Sequence, residues 1–248
     1  MAAKPLLLVP PSEAKTPGGS RSAAAKGVFD EILADDRLEV IATLAATLKG
    51  APLRRREILL NARGPLMDRA LVATQELAAG TAPLRPAWKR FSGVVWTHLD
   101  PASLLPSSRK RLLIPSSVYG LTTGEDRIAD FRLKMNVGVG SLGTMATFWR
   151  TRLTPVLASH VKTAPLVSLL PKEHEMAIDL DALSKTRKVV RVVFSDDGGS
   201  ATVGHDAKAV KGVLARALLV EGLGVLSTFE WHGWTAEDRD GVSHIVAP

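Results

Sequence analysis

Hydrophobic positions along the chain fall into short solid runs and helix-spaced sets, and their alternation predicts an α/β protein. Leu6–Val9 is a solid apolar run closed by Pro10-Pro11, which predicts a buried strand ending in a rigid turn. The stretch from Ser12 to Ser20, with Glu13, Lys15 and Gly18-Gly19, then reads as a loop. Val28, Phe29, Ile32 and Leu33 are helix-spaced, so a helix is expected to start near Ser22 and to end at Asp35-Asp36. Leu38, Ile41, Leu44, Ala45 and Leu48 repeat at helical intervals and predict an amphipathic helix that stops at Gly50. Another should run from Pro65, tolerated in a first helical turn, through Met67, Leu71 and Leu77 to Gly80.

Beyond that point the apolar segments shorten. Val94–Leu99 and Leu112–Ser116 read as strands, Ser141–Val161 as a helix that Pro155 should kink or split, and Leu166–Leu170 and Val189–Phe194 again as strands. Asp196-Asp197-Gly198-Gly199-Ser200 has the composition of a hairpin turn, because aspartate and glycine tolerate positive φ. Ala207–Val220 is a strong helix ended by Gly222 and Gly224, and short strands are expected at Val225–Phe229 and Val242–Val246. The expectation is an α/β fold: a single compact domain over residues 1–248, with a mixed sheet flanked by helices and a basic cleft. The helical stretch 36–90 would form a lobe. No repeat of fixed period interrupts it.

Composition narrows the class. Apolar residues make up 46% and charged residues 23%, which excludes a disordered or fibrous chain. Aromatics are only 5%, with a single tyrosine, so aliphatic residues must build the core. The absence of cysteine excludes disulfides, thiolate metal sites, iron–sulfur clusters and thiol-based chemistry. The apolar run at Leu6 is too short for a secretion signal, and no window approaches the roughly 20 apolar residues of a membrane span, so a cytoplasmic protein without membrane contact is expected.

Charge changes the picture further. Lys and Arg number 32 against 25 Asp and Glu, for a net +7, yet residues 51–172 alone carry 18 basic and 7 acidic side chains. Such a concentration attracts polyanions. Its densest runs are Arg54-Arg55-Arg56, Lys89-Arg90 and Arg109-Lys110-Arg111. Any one run also reads as a solvated face; three within about 60 residues favour the electrostatic reading.

Candidate chemistry is scattered. Ser12, Glu13 and Lys15 directly follow a strand, where α/β sheets present functional loops, although the spacing alone favours a plain surface turn and no phosphate-loop order is present. Tyr119 follows the strand ending at Ser116, and Arg132 downstream could grip a phosphate or pair internally with Asp126 or Asp130. Lys208 and Lys211 share one face near a helix start, where cations oppose the macrodipole unless an anion is bound. The six histidines show no metal-ligand spacing, and neighbours such as Glu173-His174-Glu175 point in different directions on a helix, so neither metal nor cofactor is expected. No Gly-x-Ser-x-Gly elbow is present. Trp149, Trp231 and Trp234 could stack on bases or pack in the core.

These residues carry a resemblance. Ser12-Glu13-Ala14-Lys15-Thr16 is similar to the Ser-Pro-Ala-Lys-Thr signature of the YaaA peroxide-stress proteins, and Phe91–Asp100 to their Phe-x-Gly-x-Val-Tyr-x-Gly-Leu-Asp segment. Ser117–Leu121, Asp126–Met135, Phe148-Trp149, Ala207–Gly212 and Phe229–Trp234 resemble further blocks of that family in order. Three departures stand out: Glu13 in place of proline, Lys134 where the family carries glutamate, and Leu170–His174 in place of Ala-Ser-Asn-Glu-Tyr. The resemblance implies a compact α/β fold with a basic cleft, a cytoplasmic role in the response to hydrogen peroxide, and double-stranded or branched DNA as ligand. The family's DNA contact is associated with a helix-hairpin-helix element, for which Asn61-Ala62-Arg63-Gly64-Pro65 is the nearest counterpart. Limiting free iron is also part of the family picture, though no iron ligand set is visible.

Two functions stay open. One is DNA binding through Arg54, Arg55, Arg56, Lys89 and Arg90 with Ser12, Lys15, Tyr119, Arg132, Lys208 and Lys211 lining the cleft. The other is an enzyme acting on a small anionic substrate around Lys15, Tyr119, Arg132 and Lys208, with Lys15 or Tyr119 as acid–base groups.

Overall fold

The computed structural model describes residues 4–21, 26–195, 204–239 and 242–248. The apolar run after Pro5 forms β1 (Leu6–Leu8), with Leu7 and Leu8 fully buried. Three helices follow, α1 (Ala34–Gly50), α2 (Leu53–Leu60) and α3 (Pro65–Ala78). A short strand β2 (Arg85–Pro86) leads into the brief helices α4 (Ala87–Arg90), α5 (Val94–Leu99) and α6 (Pro106–Arg109). β3 (Leu112–Ser116) and β4 (Gly120–Thr123) make an antiparallel hairpin, and β5 (Arg127–Ile128) pairs with β2. α7 (Met145–Val161) returns the chain to β6 (Leu166–Ser168). The short helices α8 (Lys172–Glu175) and α9 (Leu180–Ser184) precede β7 (Val189–Ser195), and α10 (His205–Val220) precedes β8 (Glu230–Trp231), β9 (Trp234–Arg239) and β10 (Val242–Val246).

The main sheet is mixed and eight-stranded, in the order β4-β3-β1-β6-β7-β10-β9-β8. From β3 through β10 neighbouring strands are parallel, and β4, β9 and β8 add antiparallel edges. The parallel centre explains the solid apolar runs: Leu112, Leu113 and Ile114 are fully buried because helices cover both faces of such a sheet. β1 pairs with β3 on one side and β6 on the other, so the connections leave it in opposite directions. An α/β sheet opens a crevice at such a switch point, beyond the carboxyl ends of its strands. Here that places the loops after β1, β3 and β6 together.

Several expectations are corrected. No helix occupies Val28–Leu33, which is a series of turns, and only Phe29 and Leu33 of the helix-spaced set are buried. Asp35 and Asp36 do not stop a helix; they form the first turn of α1, where carboxylates favour the positive end of the dipole. The buried stripe of α1 is Arg37, Val40, Leu44 and Leu48, leaving Leu38 64% exposed, because Arg37 turns inward to bond the carbonyls of Tyr119 and Leu121. Val94–Leu99 is helical and Leu223–Ser227 is a 3₁₀ turn, not strands. α7 continues unbroken through Pro155, which sits on its exposed side. The turn composition at Asp196–Ser200 lies outside the described residues; the hairpins observed are β3–β4, β8–β9 and β9–β10. Among the described residues, no helix is long and apolar enough to cross a membrane.

Candidate functional site

The loop after β1 is pinned from both sides, and the pinning positions Lys15. Thr16 N–H donates to the carbonyl of Arg90, Ser92 N–H to that of Ala14, and the Arg69 guanidinium to that of Lys15. The Lys15 side chain folds back so that Nζ donates to the Ser12 carbonyl at 2.8 Å and lies 4.2 Å from the ring centroid of Phe131. Phe91 flanks it at 5.6 Å. Gly93 leaves room for the Ser12 side chain: a Cβ there would meet Ser12 Oγ at 2.2 Å. Burial among these rings pulls the Lys15 ammonium down to about 7, with Asp130 opposing the shift and Arg132 adding to it.

Lys15 and Glu13 line two adjoining cavities. One, of about 450 Å³, is bounded by Arg69, Ser92, Asp130 and Arg132. The other, of about 80 Å³, is bounded by Ser12, Ser116, Ser117, Lys134 and His174. Sequence reasoning missed Arg69 and Asp130, which pair at 2.7 Å across the larger cavity; no spacing rule connects α3 to the segment after β5.

Charged groups of both signs line the smaller cavity, Lys15 and Lys134 with Glu13 and Glu173. Burial first, then the charges of Lys211 and Lys15, push the His174 imidazole down to about 4, so it is neutral at physiological pH. Its Nδ1 is buried without a hydrogen-bond partner. Lys211 lies 4.6 Å from the ring centroid of Phe194 and is lowered to about 8 by burial and by Lys208, which is itself exposed. Among the described residues, no carboxylate lies within ion-pair distance of Lys15, Lys208 or Lys211. Ser12, Lys15 and His174 line the smaller cavity; Lys211 lies outside its lining but acts on His174, and the exposed Lys208 acts only on Lys211.

The other expected residues behave differently. Arg132 pairs with neither Asp126 nor Asp130: Nε donates to the Leu60 carbonyl, and the terminal nitrogens reach the Asn61 carbonyl and both the backbone and carboxylate of Glu13. Tyr119 lines neither cavity, although its ring packs 5.6 Å from that of Phe131. Its hydroxyl accepts from Ala129 N–H at 2.8 Å, and burial lifts it to about 12, so it is protonated near neutrality. Arg90 is fully buried, donating to the carbonyls of Thr16, Gly18, Pro83 and Ile128, so it cannot contact DNA; Lys89 remains exposed beside Trp88. Arg109 pairs with Glu125, and Arg111 donates to the Leu219 carbonyl. On α2, Arg54 and Arg55 are exposed while Arg56 is half-buried. The Asn61–Gly64 link joins α2 to α3 with Asn61 and Gly64 at φ 44° and 51°, and the Arg132 guanidinium fastens it to the loop after β1.

The departures from the resemblance also meet in space. Glu13 and Lys134 both line the smaller cavity and pair at 3.8 Å.

Comparison with known proteins agrees with this picture. The model of the family described as peroxide stress protein YaaA matches residues 6–239. A UPF0246 protein of Streptomyces coelicolor is 30% identical over 223 residues, covering 88% of this chain and 84% of its own. One from Corynebacterium efficiens is 32% identical over 227 residues, covering 86% and 84%. A third, from Bacteroides thetaiotaomicron, is 27% identical over 66% of this chain and 69% of its own. With its fold, its ordered sequence blocks and a match spanning nearly every element of the sheet, the chain belongs to the YaaA peroxide stress protein family.

Proposed function

We propose that this protein acts in the cytoplasm during peroxide stress by binding DNA, duplex or branched, across the crevice at the carboxyl ends of β1, β3 and β6. The observation that carries this reading is that Lys15, Lys208 and Lys211 have no carboxylate within ion-pair distance among the described residues, with Asp130 and Glu13 acting on Lys15 only from farther away. Lys211 and Lys208 repel one another at the N-terminal turns of α10, where the helix dipole is also unfavourable to cations. A bound phosphate relieves both penalties and draws the lysines back to their charged forms. Arg54 and Arg55 on α2, and the exposed Arg63 in the link to α3, supply further backbone contacts without base readout.

Titration of labelled duplex and four-way-junction DNA tests this. Affinity should fall on the order of 10³-fold or more between about 50 and 200 mM salt if about six phosphates are engaged. Binding that ignores salt, or no binding at the lower concentration, would reject the proposal.

A second reading is favoured by one observation. An amine drawn down to about 7 beside a cavity of about 450 Å³ is suited to proton transfer on a small anionic substrate. In that case Lys15→Ala abolishes turnover, whereas a DNA binder loses only a modest part of its affinity.

A further inference from the structure

A separate cavity lies in the helical region, away from the crevice. It has a volume of about 660 Å³ and opens between α1, α2 and α3. Its walls are aliphatic, formed by Ala45, Leu48, Leu71 and Ala78, and the floor is well buried at Leu48 and Thr74. Thr74 does not address the cavity, since its hydroxyl bonds back to the Ala70 carbonyl. Two cations remain at the rim, Lys49 at the end of α1 and Arg56 on α2. This is the composition of a small-molecule site: mostly apolar walls, a few hundred cubic ångströms, and a small number of placed polar groups.

Arg56 is the informative residue. The last member of an exposed arginine run would be expected to reach into water, as Arg54 does, yet Arg56 lines the groove. Its Nε is buried with no hydrogen-bond partner, and a single 3.4 Å contact to the Lys49 carbonyl occupies one terminal nitrogen. A buried Nε left open in this way carries a penalty that the oxygen of a bound anion removes, and the half-exposed terminal nitrogens can take a second oxygen. Lys49 reinforces the same sign, and no acidic residue lines the cavity.

We propose that the groove between α1, α2 and α3 binds a small amphipathic carboxylate, with its aliphatic part against Leu48 and Leu71 and its head group on Arg56. A medium-chain fatty acid has the required chemistry: one carboxylate, a flexible apolar tail, and a volume within that of the cavity. The site is distinct from the crevice at Lys15, and shares with it no lining residue. Arg56 thereby serves a different purpose from its neighbours in the run, and its side chain is withdrawn from any nucleic acid lying on α2.

Decanoate is the probe, with decanol as its uncharged counterpart, titrated calorimetrically into the full chain near neutral pH. Decanoate should bind, decanol should bind about tenfold or more weakly, and Arg56→Gln should bring decanoate down to the level of decanol. Leu71→Trp, which fills the groove from a half-buried position on α3, should abolish binding of both, and urea unfolding of both variants reports whether the helical region remains folded. Equal affinity for decanoate and decanol, or unchanged decanoate binding in a folded Arg56→Gln variant, would overturn the proposal. So would an absence of decanoate binding. Self-association that Leu71→Trp removes, without any binding of decanoate, would assign the groove to a second copy of the chain instead. DNA titration of Leu71→Trp is expected to match the unaltered protein, which keeps this outcome separate from that of the crevice.

Discussion

An arginine that reads from sequence as an anion grip can be a fastener, and Arg132 is one. Its guanidinium ties the end of α2 to Glu13 through the Leu60 and Asn61 carbonyls. Arg132→Ala should therefore lower stability by about 1–2 kcal/mol, as charged hydrogen bonds to the buried Leu60 carbonyl and the exposed Asn61 carbonyl are lost, measured by urea unfolding. Lys15 was legible as a site residue because it follows β1, but its altered basicity was not, since the rings of Phe91 and Phe131 come from distant segments. Its titration gives a signed prediction. Below pH about 7 the amine is charged in folded and unfolded chains alike; between about 7 and 10.5 the folded chain has released the proton and the unfolded chain keeps it, so this group makes stability rise with pH. Lys15→Met should accordingly be more stable than the parent at pH 6, with the gap closing toward alkaline pH. Urea midpoints across that range would show it, and a gap that stays constant would contradict the assignment. The Glu13–Lys134 pair carries a related lesson: two departures that look independent in sequence are one change, a carboxylate and a cation placed together beside Lys15.

At the scale of elements, legibility followed burial. The strands of the parallel centre, β1, β3, β6 and β7, were all marked by their apolar runs, as were α3 and α10 by helical spacing and by Pro65 and Gly222 at their ends. Val94–Leu99 misled because valine, tryptophan and threonine favour strands, whereas the residues that become buried, Val95, Trp96 and Leu99, have helical spacing. What decides the matter is a long-range contact. Gly212 on α10 brings α5 so close that a Cβ would lie 2.3 Å from the Val95 carbonyl oxygen. Gly212→Ala should push the two helices apart and cost about 2–3 kcal/mol, read from urea unfolding, while Gly224→Ala, which meets nothing, should cost far less. A similar reason hid Asp35 and Asp36: they read as a stop, yet the dipole of a helix beginning at Ala34 welcomes them.

For the whole molecule, the charge excess was plain in sequence but its disposition was not. Arg90, Arg109 and Arg111 bond backbone carbonyls or Glu125 and hold segments together, so only part of the basic middle faces outward. Counting charges along a chain cannot distinguish a guanidinium that stitches the interior from one that meets solvent. The lysines at the carboxyl ends of the strands, by contrast, share a titration range: Lys15 at about 7 and Lys211 at about 8. DNA affinity at fixed salt should therefore weaken as pH rises from about 6 to 9, as each lysine loses the proton that a phosphate needs. Fluorescence anisotropy at several pH values measures this, and Lys15→Arg, charged throughout, should flatten the dependence.

β10 sits inside the sheet, between β7 and β9, although it is the last described strand. A nascent chain emerging from the ribosome must therefore hold β7 with one edge unsatisfied until residues 242–246 arrive. Until then β8 and β9 have no strand through which to join the rest. During synthesis this edge is open to pairing with a neighbouring polypeptide, and its protection falls to whatever shields new chains in the cell.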